Sequence, residues 1–385
     1  MSMKIQNWRK AFVWLLMLLM GSCVEPYTPE VLEAPNSFLV VNGFININGP
    51  TNIQLLRTQN LSDESQPLTE TNAMVKIEEE QGQGYTLEEQ ADGKYVLSNI
   101  QLDVDRKYRL YIRTSNGKEY ISDYVDVKPT PVIDNVTWKP EGDAVQFYVS
   151  THDDANNTKY YRWEYEETWE FTAAYSSYIK RVGDEIVYRD APEDYIYRCW
   201  KTEESTTIEL SNSLKLSQDV ISNYKLLSIP ASSEKIGIKY SLLVKQYALT
   251  REAYQYWETL EKNTENIGTL FDPLPSQLTG NIHCVTDPDE PVVGYISASS
   301  VQQQRIFLDN DELPDEWRLF YPRCAPLDTV LVEEALSILG ETGGNIPVSE
   351  VVPLGGYMPT GYTYSTRSCV DCTLRGTNEK PAFFK

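Results

Sequence analysis

The chain has few histidines, few basic residues for its size and no long apolar run after its first 22 residues. Its 385 residues include two histidines, and 34 Lys and Arg stand against 56 Asp and Glu, a formal net charge of −22. This charge repels polyanions, so we exclude a nucleic-acid binder that works by phosphate neutralisation. Because no run of 18 apolar residues follows, we expect no membrane-spanning helix in the mature protein.

Catalytic motifs are also absent from the sequence. It contains no GxSxG, HExxH, Walker or dinucleotide-binding pattern. His283 adjoins Cys284, but neighbours in a strand point to opposite faces, which argues against a Cys–His nucleophilic pair. We therefore predict a protein that is not an enzyme and needs no cofactor. A glycosidase requires two converging carboxylates, and the sequence alone does not show whether any two converge.

The other histidine lies in a segment rich in side-chain oxygens. His152 precedes Asp153 and Asp154, and Asn156 follows two residues later. Such a segment can supply ligands for Ca²⁺ or a His–Asp pair for a nucleophile. The spacing is not that of an EF-hand, and Asp and Asn between strands favour turns, so we predict a turn without a metal. Whether these oxygens bind a cation is left open.

The N-terminus has the parts of a bacterial export signal. A basic start at residues 4–10 precedes an apolar run at 11–20. As a helix, this run rises only about 15 Å, half of the ~30 Å hydrocarbon core. A glycine and a serine stand directly before Cys23, as in a bacterial lipobox. We predict that 1–22 is a lipoprotein signal peptide, that fatty acids such as palmitate are attached to Cys23, and that 23–36 is a tether.

The remaining cysteines are candidates for disulfides in an exported, oxidising setting: Cys199, Cys284, Cys324, Cys369 and Cys372. Five cannot all pair, so at most two bridges form and one thiol is left over. Cys369 and Cys372 have a CxxC spacing, but no second such pair or nearby histidine completes a zinc site. We predict structural bridges that fix the C-terminal tail, with Cys369 or Cys372 joined to an earlier cysteine and Cys324 as the preferred partner.

The first part of the mature chain alternates between apolar and polar residues. Short segments of this kind are separated by turn signals: 38–44, 52–57, 74–79, 85–89, 94–97, 107–113 and 119–127. This spacing predicts a β-sandwich over residues 37–128. The segments Gly93–Leu97 and Lys107–Ile112 resemble the transthyretin-like domains that are related to the carboxypeptidase regulatory module.

A short stiff boundary at Lys128–Pro131 separates this domain from a larger one. Residues 132–308 predict a second, fibronectin-III-like β-sandwich with an insertion at 173–194, a strand at 292–297 and one helix at 251–263. Thr250 is the predicted cap of this helix, and Tyr254 and Trp257 form its apolar stripe. Beyond it, the chain is rich in Pro, Gly and Cys, and we predict an irregular cap over 309–385. The whole chain is therefore expected to be mainly β.

One strand of the second domain is unusually aromatic. Its alternate positions carry large rings: Tyr161, Trp163, Tyr165, Trp169 and Phe171. Such an array is able to stack sugars, but its opposite face is uniformly polar. We therefore predict that the rings form the inner face of the sandwich.

Several motifs along the mature chain resemble one known family. They are Cys23–Tyr27, Asp134–Trp138, Thr151–Asp153, Tyr161–Trp169, Lys245–Leu249, Gly280–Cys284 and Cys369–Pro381. Together they resemble outer-membrane lipoproteins of the Bacteroidota known as domain of unknown function 4249 (DUF4249). Members of that family are commonly encoded beside TonB-dependent receptors, and the family has no established catalytic residues to transfer.

The resemblance implies an accessory lipoprotein that sits in the outer-membrane lipid through Cys23 and captures ligand for a TonB-dependent receptor. It also implies a location at the cell surface, with a periplasmic orientation left open. Two alternatives remain: a free-standing lipoprotein that binds glycans or peptides, and an enzyme of unknown type. The sequence does not identify the ligand.

Replacing Cys23 by alanine is expected to abolish lipidation and to release the protein from the membrane, because the later sequence has no run apolar enough to hold a bilayer. Membrane fractionation and intact-mass measurement of the mature protein test this. An unmodified cysteine at position 23 in the mature wild-type chain would contradict the lipoprotein assignment.

Overall fold

A computed structural model describes residues 37–59, 68–98, 101–190, 192–265, 278–317, 324–341 and 344–384. The predicted signal peptide, the tether and Cys23 lie outside these residues. Within them, strands dominate and pack as two sandwiches, which confirms the mainly β fold class. No helix among the described residues is long and apolar enough to span a bilayer.

The first sandwich begins with strands that precede the linker. They are β1 (Leu39–Gly43), β2 (Ile45–Asn46), β3 (Thr51–Arg57), β4 (Met74–Glu79), β5 (Gly84–Thr86), β6 (Glu88–Glu89), β7 (Lys94–Leu97), β8 (Lys107–Arg113), β9 (Glu119–Ser122) and β10 (Val125–Lys128). One sheet has the order β1-β3-β7-β6, and β4, β8 and β10 are neighbours in the other. In β8, Tyr108, Leu110 and Ile112 point into the core while the alternate residues face outward, as the sequence pattern predicts.

The second sandwich follows the linker. Its strands, with an inserted hairpin, are β11 (Ile133–Glu141), β12 (Ala144–His152), β13 (Tyr160–Thr172), β14 (Ile179–Val182), β15 (Glu185–Tyr188), β16 (Arg198–Glu204), β17 (Glu209–Asn212), β18 (Val220–Pro230) and β19 (Lys239–Leu249). One sheet has the order β11-β12-β18, and β16, β13 and β19 are neighbours in the other. Tyr161 and Trp163 are fully buried between the sheets, so the rings of β13 form the inner face, as predicted.

Helix α1 (Arg251–Thr264) begins directly after β19. The Thr250 side chain caps it by accepting a hydrogen bond from the Ala253 N–H at 3.2 Å. Half-buried Tyr254 and Trp257 pack against the outer face of the sheet that holds β13 and β19, together with buried Ala253. The predicted helix and its cap are confirmed.

The chain then returns to the first sandwich before it completes the second. The elements of this return segment are β20 (Ile282–Cys284), β21 (Ala298–Ser299) and β22 (Val301–Asp309). Strand β20 pairs with β9, and β21 lies between β2 and β10, whereas β22 pairs with β19.

The predicted boundary of the second domain, 132–308, is wrong for this segment, because Ile282, Cys284, Ile296 and Ala298 pack in the first core. A separate strand predicted at 292–297 is reduced to a single bridge between Val40 and Val293. Local alternation shows that a segment is extended, but it does not show which sheet the segment joins.

The C-terminal cap is more regular than the sequence predicts. It contains β23 (Asp328–Leu331), helix α2 (Ala335–Ile338), β24 (Asn345–Val351), β25 (Gly361–Thr366) and helix α3 (Arg367–Val370). The strands form a sheet in the order β23-β25-β24. The prediction of an irregular cap at 309–385 is wrong here, because the strands are short and a register shift between Pro347 and Ser349 obscures their period.

Short 3₁₀ helices complete the described elements: Ala91–Gly93, Pro192–Asp194, Glu234–Ile236, Asn310–Glu312, Asp315–Trp317, Val332–Glu334 and Cys372–Leu374.

Disulfides tie the cap to itself and to the second sandwich. Cys324 is joined to Cys369, which confirms the preferred pairing, and Cys372 is joined to Cys199 on β16. Cys284 is unpaired and buried in the first core. The Cys199 bridge spans 173 residues of sequence and was one of several pairings that the sequence left open.

Replacing Cys324 and Cys369 together by serine is expected to open the cap while both sandwiches stay folded. Closure of a 45-residue loop contributes roughly 4 kcal/mol in the chain-entropy model. Limited proteolysis with peptide mapping should therefore cut within residues 324–370 earlier in this variant than in the wild type. Cys284→Ala is the control, because it removes a buried thiol that forms no disulfide. Equal resistance of the cap to proteolysis in the double-serine variant and in the wild type would contradict the prediction.

Candidate ligand-binding cleft between the two sandwiches

The linker between the sandwiches is buried and hydrogen-bonded. Thr130 is 6% exposed, and its N–H donates to the Ser300 side chain at 2.8 Å while its hydroxyl donates to the Ser300 carbonyl at 2.5 Å. The same hydroxyl accepts from the Ala248 N–H at 3.0 Å. One threonine thereby joins the linker to the return segment and to β19.

We call the Thr130 bonds to Ser300 and Ala248 the joint between the sandwiches. The fully buried side-chain amide of Gln246 continues this joint into the second core. The Gln246 Nε2 donates to the Pro131 carbonyl at 2.8 Å and to the Thr151 hydroxyl at 3.0 Å, and its Oε1 accepts from the Trp163 indole at 2.9 Å. Each of these groups would be costly to bury alone. The network therefore favours one arrangement of the linker relative to the second sandwich.

Beside the joint, the return segment crosses other backbone segments closely. A Cβ at Gly280 would lie 1.9 Å from the Gly294 carbonyl oxygen, and a Cβ at Gly294 would lie 2.3 Å from the Val41 carbonyl oxygen. Between them, the Asn281 amide donates to the Ile296 carbonyl at 2.9 Å and accepts from its N–H at 2.8 Å. Glycine is thus needed at both crossings, and Asn281 acts as a backbone clamp.

A cleft of about 640 Å³ opens next to these crossings. This volume lies within the range of small-molecule sites, which is about 300–1,000 Å³. The turn between β9 and β10 supplies Asp123 and Tyr124, and β10 itself supplies Asp126. Helix α1 and its cap supply Thr250, Glu252, Gln255, Tyr256 and Thr259, and the return segment supplies Asn281 and Tyr295. The cleft is therefore built from three segments that are distant in sequence.

Tyrosine rings form part of its wall. The rings of Tyr256 and Tyr295 have centroids 5.2 Å apart. Burial raises the pKa of Tyr256 to about 12, and burial likewise raises the pKa of Tyr295. The Arg109 guanidinium lies 4.7 Å from the centroid of the Tyr124 ring. The phenols of Tyr256 and Tyr295 are neutral at physiological pH, so they offer apolar faces together with hydroxyl groups.

The polar groups of the cleft are acidic or uncharged. Among the described residues that line it, there is no lysine, arginine or histidine. Asp126 forms an ion pair with Lys107 at 3.1 Å, and Asp123 lies 3.4 Å from the His283 Nε2, so both carboxylates have a cationic or imidazole neighbour outside the lining. The lining carboxylates favour ligands that donate hydrogen bonds and disfavour anions.

An arginine holds the helix wall in place. The Arg162 guanidinium lies 4.1 Å from the centroid of the Trp257 ring and 4.7 Å from that of Tyr247, and it pairs with Glu164 at 2.9 Å. Cation–π contacts of this kind are worth about 0.5–2 kcal/mol each. The polar face of β13 is therefore covered by α1 at this end of the strand.

The segment around His152 is a turn in the structure, as predicted. The Asp153 carboxylate accepts hydrogen bonds from the backbone N–H groups of Ala155, Asn157 and Thr158 at 2.8 to 3.0 Å. Partial burial acts to raise the pKa of Asp153, but these donors outweigh it and lower the pKa. The oxygens that a cation would need are thus used by the backbone.

Its neighbours do not converge with Asp153 on a common point. Asn156 adopts a φ of 57°, which is typical of a turn, and Asp154 is exposed. His152 is held instead by Asp134, at 2.8 Å from its Nδ1. In the part of the chain that the structure describes, no group of three or more His, Cys, Asp or Glu is placed to hold a metal ion.

His283 and Cys284 lie on opposite faces of β20, as their adjacency predicts. The imidazole is exposed beside Asp123, whereas the thiol is buried near Thr286 and Glu290. The disulfide candidates Cys199, Cys324, Cys369 and Cys372 lie in the second sandwich and the cap, away from the cleft lining.

The residues that line the cleft were not identified from the sequence. The helical stripe pointed to Tyr254 and Trp257, which contact the sheet, whereas Tyr256 faces the cleft. The usable signal was Gly280 in the Gly280–Cys284 motif, because glycine is often found where another backbone approaches closely.

Comparison with known proteins gives a clear family match. The model of the family described as domain of unknown function (DUF4249) matches residues 24–305. No curated protein matches the chain.

Two solved structures were also compared. A two-domain fibronectin type III segment of chicken tenascin is 9% identical and covers 54% of this chain and 88% of its own, with a TM-score of 0.16. A putative carbohydrate-binding protein from Bacteroides uniformis is 13% identical and covers 57% of this chain and 93% of its own, with a TM-score of 0.16. Superpositions this weak support no conclusion about fold or ligand.

Replacing Gly280 by alanine is expected to destabilise the protein by about 1–3 kcal/mol or more, because the new Cβ overlaps the Gly294 carbonyl. The midpoint of urea unfolding, followed by tryptophan fluorescence, measures this. Gly84→Ala is the matched control, since its Cβ would meet only the Ile77 carbonyl at 3.8 Å. Equal midpoints for the two variants would show that the crossing is loose.

Proposed function

The chain belongs to the DUF4249 family, and on that premise we propose that it is a non-catalytic lipoprotein that captures a ligand in the cleft for a TonB-dependent receptor. Cys23 carries the lipid that holds it in the outer membrane, facing the cell surface. The observation that supports a binding role is the cleft itself, with its fixed walls and its lining of phenols and carboxylates.

The walls are fixed before any ligand arrives. The Thr130 and Gln246 bonds hold the linker, and the crossings at Gly280 and Gly294 hold the return segment. A site that is ordered in advance loses less conformational entropy on binding. Its geometry therefore suits recognition by shape and hydrogen bonds.

The lining defines the class of ligand. Asp123, Asp126 and Glu252 accept hydrogen bonds, and the tyrosine rings offer apolar faces. A carboxylate or phosphate ligand would meet these acids without a lysine or arginine in the described lining. The ligand therefore presents hydroxyl or ammonium donors, as a glycan or a peptide amine does.

Anchoring in the same membrane supports the proposed partnership with a receptor. When two proteins share one membrane, their effective concentration is high, so a weak interface is sufficient for a functional complex. Anionic lipids of the bilayer also repel an acidic ectodomain. The fatty acids on Cys23 are therefore its main contact with the membrane. The protein is then free to bind ligand and partner on its other surfaces.

The variant Glu252→Lys tests the cleft, because it places a cation where the lining is acidic. We expect the ligand that co-purifies with the protein from its own outer membranes, measured by native mass spectrometry, to fall at least tenfold. Glu258→Lys on the same helix is the matched control, since residue 258 is outside the lining and pairs with Lys262. Thermal unfolding of both variants checks that α1 stays docked.

Equal ligand content in both variants and the wild type would rule out the cleft as the binding site. Tagged wild-type protein that purifies from gently solubilised outer membranes with ligand but without a barrel protein would favour the free-standing binding lipoprotein. Turnover of the ligand by the purified ectodomain would contradict the non-catalytic role.

A further inference from the structure

A cluster of exposed apolar side chains lies on the C-terminal cap. Leu354, Tyr357 and Met358, in the loop between β24 and β25, have relative exposures of 108%, 98% and 78%. Leu331 at the end of β23 and Val332, which follows it, are 56% and 42% exposed. We call these five side chains the distal patch.

The members of the distal patch are neighbours in space. Leu331 pairs with Gly361 at the base of the loop. The Val332 N–H donates to the Thr360 carbonyl at 3.3 Å. The end of β23 therefore lies beside the base of the loop whose tip carries Leu354, Tyr357 and Met358.

The loop contains a hydrogen-bonded turn and no charged side chain. The Gly356 N–H donates to the Pro353 carbonyl at 2.9 Å, and Gly355 adopts a φ of 79° with open space around it. Residues 351–366 contain no charged side chain, in a chain whose net charge is −22. Exposed apolar residues are normal when single, but three on one short loop, with two more at its base, mark a candidate contact surface.

The return segment shows where the distal patch lies relative to the tether. Val293 bridges to Val40 near the start of the first sandwich, and Asp309 pairs with Lys239 at the far end of the second. At about 3.3 Å per residue, the chain from 293 to 309 spans roughly 50 Å if straight. The described chain begins at Ser37, beside the Val293 end.

The cap joins the opposite end. Lys239 lies across from Glu170 near the end of β13, and the next residues of the chain lead into the cap, where the Tyr175 N–H donates to the Cys369 carbonyl at 3.0 Å. Ser37, where the described chain begins, and the cap thus lie at opposite ends of the two sandwiches. The distal patch is therefore not placed to contact the bilayer that anchors Cys23.

The charges around the distal patch restrict the kind of partner that can bind it. Glu333, Glu334 and Glu350 flank the distal patch in sequence. Two copies of a chain with a net charge of −22 repel each other. A surface with basic residues around an apolar centre is complementary to this arrangement.

We propose that the distal patch docks a partner protein whose contact surface is an apolar pocket ringed by lysine and arginine side chains. This inference rests on the proposed function, because the partner we assign is its outer-membrane receptor. Tyr357, Met358 and Leu354 enter the pocket, where aromatic and flexible apolar side chains contribute most to binding. The glutamates meet the basic rim and orient the complex.

The triple variant Leu354→Ser, Tyr357→Ser, Met358→Ser tests the distal patch without altering the core. We expect at least a tenfold loss of the barrel protein that co-purifies with tagged protein from gently solubilised outer membranes. Val104→Ser, Leu214→Ser, Leu216→Ser is the matched control, since those side chains are 48%, 57% and 54% exposed. Ligand content in the cleft should be unchanged in both.

A photo-crosslinking residue at position 357 identifies the pocket. We expect it to join an outer-membrane barrel protein, and mapping of the joined peptides should show an apolar site beside lysines or arginines. Glu333→Lys with Glu334→Lys should weaken co-purification, and reversing the mapped basic residues in the partner should restore it.

Full co-purification by the distal-patch variant would overturn this inference while leaving the receptor partnership standing. Absence of any barrel protein from the wild-type sample would overturn both. Binding of the purified ectodomain to phosphatidylethanolamine–phosphatidylglycerol vesicles, if the triple variant abolishes that binding, would assign the distal patch to lipid. A dimer in analytical ultracentrifugation, if the triple variant abolishes the dimer, would assign the distal patch to a second copy of the chain.

Discussion

The return of the chain through both sandwiches is the constraint on which the rest of the structure depends. Strands β20 and β21 complete the first core, and β22 continues directly into the second sheet. Because one extended segment belongs to both units, a rotation of one sandwich would break strand pairing in the other. The Thr130 bonds to Ser300 and Ala248 reinforce the same relation at the linker.

Buried polar groups make this joint specific. Gln246 uses its amide on Trp163, Pro131 and Thr151, so displacement of the linker would leave buried groups without partners. Further along, Glu290 ties the return segment to the first sandwich. Burial acts to raise the pKa of Glu290, but hydrogen bonds from Lys118 and Tyr120 outweigh it and lower the pKa.

The two proposed surfaces use the joint in different ways. The cleft depends on it directly, because its walls come from the β9–β10 turn, α1 and the return segment. The distal patch depends on it indirectly, because the segment from 293 to 309 connects the start of the first sandwich with the end of the second where the cap lies. The proposed ligand site and the proposed partner site therefore use different residues of the chain.

Local chemistry allowed much to be predicted from the sequence. Alternation located the strands of the first sandwich, a threonine cap located α1, and the Asp153 segment was identified as a turn. The pairing of Cys324 with Cys369 was also anticipated. The motifs that carried the family resemblance include Gln246 and Trp163, which proved to be residues of the joint, and Gly280, which lies at the crossing beside it.

Tertiary structure alone decided which sheet each strand joins, and therefore where the cleft lies. Tyr124, Tyr256 and Tyr295 are ordinary tyrosines in the sequence, separated by a whole sandwich, and only the return of the chain brings them together. The sheet within the cap was missed for a related reason, since short strands are stabilised by their partners rather than by their own pattern. Amino-acid sequence determines local conformation through neighbouring residues, whereas a binding site is formed by long-range pairing that no local pattern encodes.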